Sequence, residues 1–200
     1  MTTTSDPTTV LRRDPVFRPL VERYEPHPLD RTIDEYERLV VSIINQQLST
    51  ASAMAVKQRV FDVLEDDVTP KRVLETPDEP LLEAGLSTQK LRYLRTTAQA
   101  FHEEDFTREG LSDQSNEEVR QRLTAITGIG DWTARMYLVF VLGRPDVLPL
   151  GDLAVRRAIE DLYNDGTSLS RAEMREIAEA WRPHRSLATR YLWAYYEADE

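Results

Sequence analysis

Cysteine is absent from this chain of 200 residues. Its absence excludes disulfide bonds, thiolate zinc sites and cysteine-ligated iron–sulfur clusters. The only histidines, His27, His102 and His184, are scattered along the sequence. None of them has the spacing of metal ligands, so the sequence indicates no metal site.

Long apolar runs are missing as well. No segment is long and apolar enough to cross a bilayer. The first ten residues are rich in threonine and lack the apolar stretch of a signal peptide. We therefore expect a cytoplasmic protein with no membrane partner. The length allows one compact domain or two small lobes that share a core.

Positive charge is scarce, since 25 Lys and Arg residues face 35 Asp and Glu residues and the net charge is −10. Lysine occurs only as Lys57, Lys71 and Lys90. This balance counts against nucleic-acid binding, because contact with phosphates normally uses a basic surface. An acidic surface poor in lysine also suits a high-salt cytoplasm, where self-repulsion is screened, and halophily is our hypothesis for this composition.

Nearly every segment has helical periodicity and none has sustained period-two alternation, which predicts an all-α fold. Capping boxes are predicted at Thr32–Glu35, Ser115–Glu118 and Ser170–Glu173. We expect residues 1–14 to be a poorly ordered tail and residues 15–200 to form one helical domain.

Two glycines, Gly128 and Gly130, flank Ile129 between two predicted helices. Glycine allows a sharp turn and the close approach of a ligand. The amides of this turn precede a helix N-terminus, where an anion is favoured, and Ile129 would anchor the turn in the core. An ordinary helix–helix connection is the alternative interpretation of the same three residues.

Asp152 directly precedes an apolar-periodic segment that begins at Leu153. Such a residue is typical of a helix N-cap. A capping aspartate is held rigidly at the start of its helix, and its carboxylate can still face a cleft. The sequence therefore leaves both a structural and a catalytic role open for Asp152.

Together these features resemble the helix-hairpin-helix DNA glycosylases, in particular the 3-methyladenine DNA glycosylase II (alkylpurine) family. The resemblance runs from about Thr32 to Tyr196, and several landmarks in the correct order are more specific than any one of them. It implies a two-lobed helical fold with a central helix-hairpin-helix and a cleft between the lobes. The landmarks are Ile43–Ser49, Gly85–Leu91, Ile126–Ala134, Pro149–Asp152 and Trp181–Leu187 with the helix through Trp193.

The resemblance implies a DNA-backbone site at the hairpin, formed by Thr127, Gly128, Ile129, Gly130 and Thr133. Main-chain amides there would bind phosphates without reading the base sequence. This mode of binding needs no net positive charge. Local positive potential could come from Arg135, Arg156 and Arg157, or these arginines could be solvated residues of helix faces.

Enzymes that act on a base take it out of the stack. The segment Gln46, Gln47 and Leu48 resembles the wedge that fills the resulting gap in the family, and Gln47 is our first choice. The alternative is that these residues only connect two helices.

The resemblance makes Asp152 the catalytic carboxylate. Cleavage of an N-glycosidic bond passes through an oxocarbenium-like sugar, which a fixed anion stabilises, and the same group could orient or deprotonate the attacking water. Trp132 lies where bifunctional relatives carry a Schiff-base lysine, and no lysine follows Lys90. We therefore expect a monofunctional glycosylase that leaves an abasic site. Core packing is the alternative role for Trp132.

The base pocket implied by the resemblance consists of Trp132, Met136, Leu153 and Trp193. Trp193 matches an aromatic position of the family, and an electron-deficient alkylated purine stacks well on such a ring. Met136 and Leu153 depart from the family, since some members have tyrosine there. The remaining tyrosines of this region are interpreted as pocket residues or as core and surface packing: Tyr137, Tyr191, Tyr195 and Tyr196.

The predicted function is base excision of alkylated purines of the 3-methyladenine and 7-methylguanine type from double-stranded DNA. We expect a monomer of prokaryotic type that acts at the nucleoid and needs no cofactor, with room for a monovalent cation at the hairpin backbone. Two alternatives stay open. One is a glycosylase for a deaminated or oxidised base. The other is a non-enzymatic helix-hairpin-helix module, which would keep Gly128–Gly130 without needing Asp152 or Trp193.

Overall fold

The structure is a computed structural model that describes residues 6–29, 32 and 34–198. Throughout this part of the chain the regular elements are helices and no strand occurs, which confirms the all-α prediction. The chain divides into two compact units. The terminal unit contains the described residues up to Leu29 and from Gly143 onward, and the central unit contains those between them.

The described helices of the central unit run from Glu35–Asn45 to Asp131–Met136, which continues as a π-helix. Among the described residues its helices are α3 Glu35–Asn45, α4 Thr50–Val63, α5 Pro70–Glu75, α6 Asp78–Glu83, α7 Thr88–Glu103, α8 Asn116–Ala125 and α9 Asp131–Met136, followed by the π-helix Tyr137–Val141. The terminal unit comprises α1 Pro7–Leu11, α2 Arg18–Arg23, α10 Leu153–Asn164, α11 Arg171–Ala178, a 3-10 turn at Glu179–Trp181 and α12 Arg185–Ala198.

Two of the three predicted capping boxes are confirmed. Ser115 and Ser170 each accept the amide of the glutamate three residues on, and that glutamate accepts the serine amide. The prediction at Thr32 is wrong, because α3 starts at Glu35 and Asp34 is its N-cap. The Asp34 carboxylate accepts the amides of Tyr36 and Glu37 at 2.8 and 3.2 Å. Asp34 thus satisfies two of the N–H groups in the first turn that have no partner in the helix backbone.

The predicted disorder of the tail is wrong for residues 6–14, whereas residues 1–5 lie outside the described residues. Pro7–Leu11 is helical, and Leu11 is fully buried in the core of the terminal unit. Asp14 accepts hydrogen bonds from Tyr163 Oη at 2.5 Å and Trp181 Nε1 at 3.2 Å. These partners come from distant parts of the sequence, so the local composition of the tail did not indicate its order.

The core of the central unit lies between α3 and α7, which pack together. Both helices bury an apolar face at helical spacing, as the sequence pattern predicted. The π-helix packs against α3 and α8, and Tyr137 at its start is buried and donates its hydroxyl to the Phe106 carbonyl at 2.6 Å. The buried residues of the two helices are Tyr36, Leu39, Val40, Ile43 and Ile44 in α3, and Leu91, Leu94, Thr97 and Ala98 in α7.

The core of the terminal unit is built on the packing of α10 against α12. Trp181 is fully buried in it, with its ring 5.1 Å from that of Phe17 between centroids. Tyr191 is buried in the same cluster. The core-packing interpretation is thus confirmed for Tyr137 and Tyr191. Within the described part of the chain, no helix combines the length and apolar character that a membrane span requires.

Candidate functional site

The hairpin turn between α8 and α9 depends on its two glycines for different reasons. Gly128 has a φ of +102°, and a Cβ added there would lie 2.3 Å from Cγ of Tyr93. At Gly130 an added Cβ would meet nothing within 4 Å. Ile129 is 4% exposed, so its predicted role as the core anchor is confirmed. The turn therefore packs tightly at Gly128 and stays open to a ligand at Gly130.

The start of α9 offers main-chain donors beside this open glycine. Gly130 is the N-cap of α9, and the first amide bonded back to it is that of Ala134, at 3.0 Å. The amides of Asp131 and Thr133 lie in the first turn of α9, before that bond, where the N–H groups of a helix point toward its N-terminal end. Thr133 is only 4% exposed, so it is largely enclosed by the protein.

The carbonyl groups of the hairpin are held by side chains of the central unit. Thr96 Oγ1 donates to the carbonyl of Thr127 at 2.9 Å, and Gln46 Nε2 donates to that of Gly128 at 3.2 Å. Gln46 belongs to the predicted wedge, so the structure brings two of the predicted site segments into direct contact. Sequence reasoning missed Thr96, which no local motif distinguishes.

The wedge segment forms a strained turn at the end of α3. Gln46 is the C-cap of α3, and Gln47 has a φ of +58°. A left-handed backbone is uncommon for a residue with a side chain, and strain of this kind clusters at functional sites. Gln47 is exposed and Leu48 is 38% exposed, so these two side chains are accessible while the Gln46 side chain is engaged by the hairpin.

Charges near the hairpin are largely paired. Asp131 accepts from Arg135 Nε at 2.8 Å and from Arg120 Nη1 at 3.1 Å. Partial burial alone would raise the pKa of the Asp131 carboxyl, but the two guanidinium groups outweigh it and hold that pKa below its ordinary value. Arg135 is a candidate for attracting phosphate, but its charge is offset by Asp131 in the same helix.

The two predicted pocket residues of α9 are accessible to different degrees. Trp132 is 43% exposed, so the alternative that it serves only as core packing is wrong. Met136 is half-buried at the end of the helix. Because they are four residues apart in α9, their side chains lie on one face of the helix.

In the terminal unit, Asp152 is the N-cap of α10, as predicted from the sequence. Its Oδ1 atom accepts the Val155 amide at 3.0 Å and the Trp193 indole N–H at 3.3 Å. Two predicted site residues, Asp152 and Trp193, are thereby in contact. The capping bond and the indole bond hold the half-buried carboxylate in one orientation.

The loop that leads to Asp152 is clamped onto the start of α12. Asp146 accepts from Arg185 Nε at 2.6 Å and Nη2 at 2.9 Å, and from Arg182 Nη1 at 2.7 Å. Ser186 Oγ accepts the Val147 amide at 3.0 Å. Burial would raise the pKa of Asp146, but its hydrogen bond with Arg185 and the charges of both arginines lower it. Sequence reasoning missed this clamp, since its two halves are 39 residues apart.

Arg156 and Arg157, the other two candidates for local positive potential, interact with groups close to them in sequence. Arg156 Nη1 donates to the carbonyls of Leu150 at 3.2 Å and Gly151 at 3.3 Å, directly before Asp152. These carbonyls hold the guanidinium without neutralising its charge. Arg157 pairs with Glu160 at 3.3 Å. Leu153, the fourth predicted pocket residue, is 56% exposed at the first position of α10.

His27 is a further neighbour of the pocket tryptophan that sequence reasoning missed. Its ring lies edge-to-face with that of Trp193, with 6.2 Å between centroids. His27 Nε2 is 2.9 Å from Glu197 Oε2 on the same helix as Trp193. The indole is therefore held by His27 on its ring and by Asp152 at its N–H.

An all-helical chain with a glycine hairpin and a rigidly capped aspartate is the arrangement of a helix-hairpin-helix repair protein. The family model described as "HhH-GPD superfamily base excision DNA repair protein" matches residues 40–183, and the chain belongs to this superfamily. Within it, the chain belongs with the 3-methyladenine DNA glycosylases. It is 32% identical over 177 residues to DNA-3-methyladenine glycosylase 1 of Schizosaccharomyces pombe, covering 87% of this chain and 78% of that relative.

Solved structures agree with this assignment. The crystal structure of a DNA-3-methyladenine glycosidase from Bacillus halodurans is similar with a TM-score of 0.88 and 31% identity, covering 100% of this chain and 94% of that one. A 3-methyladenine DNA glycosylase of Schizosaccharomyces pombe in complex with abasic DNA gives a TM-score of 0.80 and 30% identity, with 94% of each chain covered. The family resemblance derived from the sequence motifs is confirmed.

Proposed function

We propose that this protein is a DNA glycosylase that hydrolyses the N-glycosidic bond of alkylated purines and leaves an abasic site. The observation that carries the proposal is the fixed carboxylate of Asp152, held by Val155 and Trp193 at the start of α10. Similar proteins named DNA-3-methyladenine glycosylase or glycosidase support 3-methyladenine as a substrate. We propose 7-methylguanine as a second base of the same cationic type.

DNA binding is assigned to the hairpin. Its open glycine, Gly130, and the amides at the start of α9 suit phosphate oxygens, which need donors and a close approach. Gln47 and Leu48, both exposed, are assigned to the gap in the duplex. The partner is double-stranded DNA with a damaged base, bound by a monomer acting at the nucleoid in the cytoplasm.

Asp152 provides the chemistry. As the N-glycosidic bond breaks, its electrons leave with the base and positive charge develops on the sugar. A carboxylate already fixed by two N–H donors stabilises that charge without reorganising. Water then bonds to the sugar carbon and loses a proton, and we assign Asp152 as the base that accepts it. An alkylated purine is itself cationic, so it leaves without a strong general acid.

Base binding and the reaction type follow from the aromatic side chains. The side chains that we assign to contact with the purine are Trp132, Met136, Leu153 and Trp193. Indole rings and a thioether suit a cationic, polarizable ring. A tryptophan instead of a lysine at position 132 leaves no amine to form a Schiff base there, so water is the nucleophile and the strand stays intact.

The decisive experiment measures the bases released from methylated duplex DNA. The wild-type protein should release 3-methyladenine and 7-methylguanine, and the strand should break only after alkali treatment. Asp152→Asn should lower the excision rate by about 10² to 10³, because it removes the charge opposite the sugar cation. Asparagine is a good N-cap, so the fold should be retained.

Asp34→Asn is the matched control, because Asp34 also caps a helix through its carboxylate. It should leave the excision rate unchanged. Excision by Asp152→Asn at the wild-type rate would refute the catalytic assignment. Release of uracil or hypoxanthine instead of methylated purines would favour a deaminated-base glycosylase, and stoichiometric binding without release would favour a non-enzymatic module.

A further inference from the structure

One face of α7 contacts the hairpin and the end of α3, which directly precedes the wedge segment Gln46–Leu48. Lys90, Tyr93 and Thr96 are spaced three residues apart and lie on one side of the helix. Lys90 Nζ donates to the Ile44 carbonyl at 2.6 Å, in the last turn of α3. Thr96 Oγ1 donates to the Thr127 carbonyl in the hairpin. Neither the family assignment nor the mechanism above uses this face.

Lys90 stabilises the end of α3 directly before the wedge turn. The last carbonyls of a helix have no intrahelical partner and attract a cation. Lys90 is half-buried, and this burial lowers the pKa of its ammonium group. A charged donor kept there despite its desolvation fixes the point from which Gln46, Gln47 and Leu48 leave the helix.

The same face of α7 packs against the hairpin. The Tyr93 ring lies so close to Gly128 that a Cβ at Gly128 would be 2.3 Å from Cγ of the ring. Gln46 Nε2 connects the wedge segment to the hairpin by donating to the Gly128 carbonyl. The wedge segment and the hairpin are therefore bonded to each other, and α7 is bonded both to the hairpin and to the last turn of α3 that leads into the wedge segment.

We propose that α7 is a positioning element that sets the spacing between the wedge turn and the hairpin, with Lys90 and Thr96 as its positioning residues. The inference rests on the proposed function. A wedge can enter the stack only in register with the phosphates that the hairpin binds. A displacement of about 1 Å in such a constellation can cost about 10²-fold in rate.

The first test is Lys90→Met, which keeps a straight apolar stem but removes the donor. Excision is measured under single-turnover conditions with saturating protein, on a duplex that carries one alkylated purine next to 2-aminopurine. The rate should fall by about 10- to 100-fold, and the 2-aminopurine fluorescence that reports eversion should fall with it. Affinity for undamaged duplex should change by about twofold at most, because the hairpin amides remain.

The second test compares Thr96→Val with Thr124→Val. Both hydroxyls bond to carbonyls of their own helix, those of Arg92 and Tyr93 for Thr96 and those of Arg120 and Gln121 for Thr124. Only Thr96 also holds the hairpin. Thr96→Val should slow eversion and excision, whereas Thr124→Val should match the wild type in both.

A double-mutant cycle separates positioning from a general loss of stability. If Lys90 acts through the wedge turn, Lys90→Met should have little further effect in a Gln47→Ala background. Independent, multiplying effects would overturn the inference, as would wild-type rates in both Lys90→Met and Thr96→Val. Absence of base release by the wild-type protein would instead refute the proposed function itself, so the two failures are distinguishable.

Discussion

Gly128 and Gly130 flank Ile129 in the hairpin, yet a methyl group would meet different surroundings at each. At Gly128 the φ of +102° is unfavourable for any side chain, and the neighbouring Tyr93 atoms include Cβ and Cγ, which cannot swing away. At Gly130 the φ is −88° and the surrounding space is empty. The first glycine is thus required by the fold and the second by the ligand we propose.

This contrast predicts opposite results for two alanine substitutions. Gly128→Ala should lower the free energy of unfolding by about 2 kcal/mol or more, through backbone strain and overpacking. Gly130→Ala should change it by less than about 1 kcal/mol, because alanine accepts its backbone conformation. Gly130→Ala should nevertheless weaken duplex binding, since its Cβ would keep phosphates from the amides. Urea denaturation and fluorescence anisotropy measure the two effects, and wild-type DNA affinity of Gly130→Ala would contradict the hairpin assignment.

Among the structural elements, the loop between the π-helix and α10 is held in place by hydrogen bonds and an ion pair with α12. Asp146 and Arg185 are 21% and 14% exposed in their side chains, so their ion pair is largely protected from solvent. Pairs of this kind are sensitive to the loss of one partner, because the other charge stays buried. The loop carries Asp152 at its end, and the clamp therefore stabilises the catalytic candidate indirectly.

Asp146→Asn should lower the free energy of unfolding by about 2 kcal/mol at pH 7, since hydrogen bonds to a charged group are replaced by weaker ones. The pKa of Asp146 is depressed below 3.8 in the folded state. Its contribution is therefore complete above pH 3.8 and is lost as the pH falls through the folded pKa. Urea denaturation between about pH 2 and 7 should show a smaller acid loss in the variant than in the wild type.

The matched control is Glu75→Gln in α5. Glu75 pairs with Lys71 at 3.8 Å, and both side chains are largely exposed. Exposed pairs contribute little, so this variant should stay within about 0.5 kcal/mol of the wild type. An equal loss of unfolding free energy in both variants would mean that the ion pair of Asp146 contributes no more than an exposed pair.

At the scale of the whole molecule, the charge of −10 has to be reconciled with a polyanionic partner. Phosphate contact through main-chain amides reduces the need for basic side chains, and Arg120 and Arg135 offset the acidic Asp131 beside the hairpin. The remaining acidic excess repels itself at low ionic strength. Screening by salt should relieve this repulsion.

We therefore expect the melting temperature to rise as KCl is raised from dilute buffer to molar concentration. Calorimetry or dye-monitored unfolding at a fixed pH measures this dependence. Sucrose at matched water activity is a useful control, because it stabilises folded proteins without screening charge. A melting temperature that falls with KCl would contradict the hypothesis of halophily.

Local signals determined much of this protein from the sequence by itself. The capping boxes at Ser115 and Ser170 and the cap at Asp152 use contacts between residues three positions apart, which sequence spacing encodes directly. The Gly128–Ile129–Gly130 turn was likewise recognisable from its own residues, although distant side chains hold it in place. The hairpin and the segment that ends at Asp152, in their order along the chain, were also two of the landmarks that carried the family resemblance. The error at Thr32 is of the same local kind, because Asp34 was a second acceptor two residues nearer the helix.

Only the tertiary structure decided which distant residues hold these local elements in place. Gln46 reaches Gly128 across 82 residues, and Asp14 reaches Trp181 across 167. Neither pair has a signature of its own, since each forms only when packing brings the helices together. For the same reason the sequence could suggest Asp152, but only the folded chain showed that Trp193 holds its carboxylate.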